Sequence, residues 1–174
     1  MRVLENECQV SQAWVPTGGD PQPAAVPFAA IWDTGATNSV ITKAVVDACG
    51  LVATGMTKVD HVDGSSRAET YLVNIWLPNK VAFGGVRVTK GTLTGHANIL
   101  IGMDIISKGD FAVTNFDGIT KFSFRFPSVG HIDFVEESKR PQFQHGGSPK
   151  PKRAKKSGSW RKGQLGKGKG NRNR

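Results

Sequence analysis

Asp33, Thr34 and Gly35 place a carboxylate, a hydroxyl and a glycine in succession at the end of a mostly apolar run, residues 26–32. That arrangement suits acid–base chemistry, but one carboxylate does not complete it. An amide carbonyl is a poor electrophile, and water is a poor nucleophile near neutral pH. Two carboxylates a few ångströms apart answer both problems, because like charges that close share one proton. The ionised member takes a proton from water while the protonated one hydrogen-bonds the carbonyl oxygen, giving a tetrahedral diol without a covalent intermediate. The pKa values then belong to the pair. The Asp-Thr-Gly triplet occurs once in 174 residues, so the chain supplies half of such a pair.

The neighbours of Asp33 have physical reasons. Gly35 lets backbone N–H groups come close to the carboxylates with no Cβ in the way. The Thr34 hydroxyl can hydrogen-bond the main chain of a facing loop and fix the carboxylate geometry. Ala36 lacks the hydroxyl a serine would aim at the outer carboxylate oxygen, and losing a donor to the charged form raises the pKa of the pair toward neutral. Elsewhere in the chain the candidates for a second acid are weaker. Asp63 and Asp117 each precede a glycine directly and sit in hairpin turns, and Asp104 suits the N-terminus of a helix, where a carboxylate meets unpaired N–H groups. Two copies of the chain related by a two-fold axis are the economical source.

The elements that must hold this acid are short β-rich runs separated by Gly, Pro, Asp and Asn, the pattern of an all-β domain. Strands are expected at 7–15, 26–32, 58–62, 69–77, 81–83, 86–89, 111–114 and 120–126, with a loop at 16–23. A short helix is expected at 42–49, stopped by Gly50. Asp63, Gly64, Ser65 and Ser66 form the turn of a hairpin between 58–62 and 69–77. The run 98–106 is apolar except for Gly102 and Asp104, and reads as a strand leading into a helix.

Charge divides the chain. Of 23 Lys and Arg, 13 lie from Lys139 onward with no Asp or Glu, so the formal +9 belongs to a tail on a net acidic body. The expected organisation is a domain over 1–138 and a tail over 139–174, disordered because it cannot bury enough apolar surface to offset its ordering entropy. Mixed with Gly, Ser and Asn, this tail is built like arms that contact RNA or DNA without sequence preference, and equally like a solubilising extension. Cys8 and Cys49 have no C-x-x-C spacing, and residues 1–10 already carry Glu5 and Glu7, so a reduced, cytoplasmic setting is expected. No apolar run is long enough for a membrane span. His61, His96, His131 and His145 are scattered without ligand spacing, so neither a metal nor a cofactor is expected.

With Asp33 to Ala36, the following Val40, Ile41 and Thr42, and the block Ile99, Leu100, Ile101, Gly102, Met103, Asp104, the chain resembles the retropepsin-like aspartic proteases, nearer to cellular than to viral members. The resemblance runs over about 7–126. It implies a closed, β-barrel-like acid protease fold with one or two short helices, and a homodimer with one Asp33 from each copy. It also implies an extended polypeptide substrate under a flap hairpin over 58–77. On that basis Asp33, Thr34 and Gly35 are the catalytic group, and Ala36, Val62, Asp63, Gly64 and Ser65 contact substrate. The viral pattern of acidic residues after the motif and an arginine after the later glycine is absent: Thr37, Asn38 and Met103 stand there. Both sides of that ion pair are replaced together. Two other readings compete, a non-catalytic dimeric scaffold tethered to nucleic acid by the tail, and a phosphate loop at 33–38 of the sugar-kinase and actin type. The second needs two large domains, for which 174 residues leave no room.

Overall fold

A computed structural model of the chain describes residues 3–14, 21–61 and 64–139. The expectations for the loop 16–23, for Val62 and Asp63, and for the tail beyond 139 lie outside the described residues in whole or in part. The chain divides into two compact units, Met1–His131 and Ile132–Arg174.

The first unit is built of strands: β1 (Glu5–Gln12), β2 (Val26–Trp32), β3 (Val40–Ile41), β4 (Gly55–His61), β5 (Gly64–Trp76), β6 (Ala82–Lys90), β7 (Ile99–Ile101), β8 (Asp110–Phe116) and β9 (Ile119–Arg125). Two short helices interrupt them, α1 (Lys43–Ala48) and α2 (Met103–Ile106). Six strands close in a ring. In order they are β1, β2, β7, β3, β6 and β5, and β5 pairs back to β1 through Gln9↔Trp76 to Gln12↔Val73. β4 lies outside the ring and pairs with β5. A ring removes the unpaired edges that an open sheet would leave. This is the closed, all-β architecture expected from the sequence.

The ring encloses an aliphatic core. Val10, Ile41, Val45, Val73, Ile75, Val88, Ile99, Ile101 and Ile105 are all fully buried. Burying a side chain of this size stabilises by about 1.5–3 kcal/mol. α1 ends where expected, with the Leu51 N–H donating to the Val46 carbonyl at 2.9 Å and the Gly50 N–H to Asp47 at 3.3 Å, the bond pair of a Schellman motif.

Three elements differ from expectation. The first strand ends at Gln12 rather than 15. The two short strands expected at 81–83 and 86–89 are one strand, β6, because Gly84 and Gly85 form an irregularity within the ladder and not a turn. The register shifts there against Val73 and Ile75, and buried Asn74 accepts from the Gly85 N–H at 2.9 Å. The hairpin ladder of β4 and β5 runs out to His61↔Gly64, so Ser65 and Ser66 are ladder residues opposite Asp60 and Val59, and the connection shrinks to 62–63.

Hairpin β8–β9 packs on the ring through aromatic rings. Trp32, at the end of β2, stacks on Phe111 with centroids 5.5 Å apart, and its ring also meets Phe122 and Phe124 at 5.7 and 5.1 Å. Its indole N–H donates to the Asn6 side chain at 2.8 Å. Such contacts add to the area term. In the second unit, α3 (Phe134–Ser138) is a helix the sequence reading did not include. Asp133 caps it, accepting from the N–H groups of Val135 and Glu136 at 2.9 and 3.0 Å. None of the described helices is long and apolar enough to cross a membrane.

Candidate active site

β7 is the element that makes the site. It runs parallel to β2, with Trp32 opposite Ile101, and antiparallel to β3, with Val40 opposite Leu100. Two strands adjacent in sequence therefore flank a third that arrives from far along the chain. The loop 33–39 that joins them must cross the end of β7, and Asp33 is its first residue.

Hydrogen bonds fasten that crossing. The Asp33 N–H donates to the Ile101 carbonyl at 3.0 Å, and the Ala36 N–H closes a turn onto the Asp33 carbonyl at 3.3 Å. The Gly35 N–H donates to Asp33 Oδ1 at 2.8 Å, and a Cβ on Gly35 would sit 3.2 Å from that oxygen. The glycine thus allows a backbone donor to reach the carboxylate. From the other side, the Met103 and Asp104 N–H groups at the start of α2 donate to the carbonyls of Ala36 and Thr37, at 2.8 and 3.1 Å. Asp33, Thr34 and Gly35 are exposed, and Ala36 is half-buried.

Two further residues hold the loop: Ser39, which the sequence reading missed, and Asp104, which it placed at the N-terminus of a helix without this partner. Ser39 is fully buried. Its hydroxyl accepts from the Gly102 N–H at 3.1 Å and donates to Asp104 Oδ1 at 2.8 Å, while its carbonyl accepts from the Thr89 N–H at 3.2 Å. One side chain therefore joins the loop, β7 and α2, and its carbonyl brings in β6. Asp104 lies in the first turn of α2, the helix N-terminus expected for it, and its carboxylate accepts from the Ser39 hydroxyl. The readable signal for Ser39 was a small polar residue just before the apolar pair Val40 and Ile41.

Gly102 completes the crossing. A Cβ there would lie 2.7 and 2.8 Å from the Asn38 carbonyl carbon and oxygen and 2.9 Å from the Ala36 oxygen. Only glycine lets the backbone of 36–38 lie this close to β7.

The other sequence-predicted residues fall on the hairpin. Gly64 and Ser65 open β5 and are exposed; Val62 and Asp63 are outside the described residues. Asp117, a competing acid, is at the β8–β9 turn with φ +52°. The structure thus gathers Asp33, Thr34, Gly35 and Ala36 into one turn, and assigns Gly64 and Ser65 to a separate element.

A ring of strands whose Asp-Thr-Gly turn crosses the end of a threaded strand is the arrangement expected of the acid-protease class. The profile of the family described as Aspartyl protease matches residues 17–105, slightly over half of the chain, and the chain belongs to that family. No curated protein matches the chain. Among solved structures it is similar to the EIAV protease complexed with the inhibitor HBY-793, at 16% identity and TM-score 0.44, over 61% of this chain and 86% of that one. It is also similar to the simian foamy virus (mac) protease in its solution structure, at 13% identity and TM-score 0.40, over 59% and 91%.

Proposed function

We propose that the chain is an aspartic endopeptidase that hydrolyses peptide bonds with a carboxylate pair formed by Asp33 of two copies. The observation that carries the reading is the exposed carboxylate of the single Asp-Thr-Gly triplet, held by a turn fastened from both sides. An isolated carboxylate gives general-base help only; paired across a two-fold axis, it becomes half of a proton-sharing dyad. Family membership supports the reaction class.

In this reading the ionised Asp33 takes a proton from the attacking water, and its mate donates a hydrogen bond to the scissile carbonyl oxygen. As the diol forms, the mate's proton passes to that oxygen. When the diol collapses, Asp33 gives the proton it took from water to the departing amine and the mate recovers a proton from a diol hydroxyl, so the pair again shares one proton. Gly35 lets a backbone donor reach the carboxylate, the Thr34 hydroxyl bonds the main chain of the facing loop in the second copy, and Ala36 offers no hydroxyl to the outer oxygens. The hairpin β4–β5 acts as the flap, with Gly64 and Ser65 near its end beside Val62 and Asp63. The free thiols Cys8 and Cys49 support a reduced, cytoplasmic setting.

The test is the Asp33→Asn chain in a peptide-library cleavage assay. Cleavage should fall by about 10³-fold or more, with the sedimentation of the dimer unchanged. Equal proteolysis by that variant would overturn the assignment.

A further inference from the structure

The ring is closed between β6 and β3 by a short pairing. β6 pairs with β5 along its length, from Thr70↔Thr89 to Trp76↔Ala82, but with β3 only at Thr89 and Lys90. The Thr89 N–H donates to the Ser39 carbonyl, so at this position the backbone points away from β5. Strand alternation then points the N–H and C=O of Arg87 the same way, beyond the reach of the two-residue β3. Among the described residues neither group has a backbone partner, as at a strand edge.

A groove of about 640 Å³ follows that edge. Phe83, Val86 and Phe126 give it apolar lining, and Asn38, five residues from Asp33 on the same loop, lies at its border. Arg87 and Lys108 are exposed on its rim, and among the described residues neither is in an ion pair. Asp104 also lines it, but its carboxylate accepts from Ser39.

Free edge, apolar lining and two available cations are the parts of a strand-addition site. There main-chain bonds give affinity, and pockets and charges read alternate side chains. We propose that this groove docks an extended, acidic polypeptide segment, which adds to β6 at Arg87 with an apolar side chain over Phe83 and Val86 and carboxylates toward Arg87 and Lys108. The proposal rests on the peptidase reading for the segment's origin, a stretch of substrate away from the scissile bond. The chain's own tail is a poor occupant, with 13 Lys and Arg and no acid from Lys139 onward.

The full-length Asp33→Asn chain, which leaves a probe uncut, carries the experiment. A fluorescein-labelled peptide alternating Val and Glu should bind by anisotropy, and a Val–Lys version should not. Arg87→Glu with Lys108→Glu should weaken binding at least tenfold, while Arg87→Lys with Lys108→Arg should retain it. Of two probes N-methylated on odd or on even peptide nitrogens, one should lose binding, a result that leaves the protein untouched. Unchanged binding after charge reversal, equal binding of both methylated probes, or displacement by a single-stranded oligonucleotide but not by unlabelled peptide would each overturn the proposal. Absence of cleavage by the Asp33 chain would instead sink the peptidase reading and leave the binding result to decide the groove.

Discussion

The loop 33–39 and the far half of hairpin β4–β5 are both polar, glycine-containing segments, yet they are held in opposite ways. The loop is fixed from β2, β7, α2 and β6 at once, through Asp33, Ala36, Thr37 and the buried Ser39. The hairpin leaves the ring: β4 pairs with β5, and residues 64–67 are exposed while Tyr71, Val73 and Ile75 of the same strand are buried. Local stability follows the number of buried, cross-linked neighbours, so one segment opens only with the whole unit and the other can open alone. A peptidase of the proposed kind needs that division, with a rigid acid and a cover that lets an extended chain enter.

The same substitution in the two segments breaks or confirms the contrast. Gly102→Ala drives a methyl group to within 2.7–2.9 Å of backbone atoms of Asn38 and Ala36, where no flexible side chain can give way. The expected cost is about 2–3 kcal/mol, read as a melting-temperature fall of several degrees together with loss of cleavage. Gly64→Ala meets nothing within 4 Å but must adopt φ +130°, a region L-residues avoid. Because His61↔Gly64 closes the ladder, the strain can be released by fraying that end. The melting temperature should therefore change by the equivalent of less than about 1 kcal/mol, while kcat/KM for an extended peptide falls. Matching melting-temperature losses in the two variants would show that the hairpin is as firmly tied as the loop.

Much of this contrast could be read from residue types. The apolar run before Asp33, the glycine after Ile101 and the turn residues around Gly64 placed the acid, the threaded strand and the hairpin, since each depends on short-range pattern. What could not be read depends on who meets whom. Gly84 and Gly85 look like a turn in sequence, and become an irregularity within β6 only because Asn74 of β5 supplies an acceptor for the Gly85 N–H. Asp104 reads correctly as a residue at a helix N-terminus, but nothing local says that Ser39, far back in the chain, will donate to its carboxylate. Trp32 reads as one more apolar strand residue, and nothing local says that Phe111, Phe122 and Phe124 will gather on it.

The smallest expected effect marks the boundary between the two regimes. Glu69 lies where the free hairpin joins the ring, opposite Met56 and next to the Thr70↔Thr89 pair. Its carboxylate bonds Lys90 of β6 and accepts from the Tyr71 hydroxyl at 3.0 Å. Those bonds, the one to Lys90 above all, hold its pKa below the ordinary 4.5. A carboxyl group with a lowered folded-state pKa contributes stability that is complete above its unfolded value, and that stability is lost as pH falls through the folded value. Both groups are more than a third exposed, so the effect is modest and screened by salt. Glu69→Gln should melt slightly below the parent at pH 6–7, and the two curves should converge as the pH drops below 4.5. In the same range the hairpin amides of the parent should begin to exchange faster, while those of 33–39 stay protected. A melting difference that persists undiminished at pH 2 would mean that Glu69 acts through packing rather than charge, and that the hairpin's freedom begins elsewhere than at this ion pair.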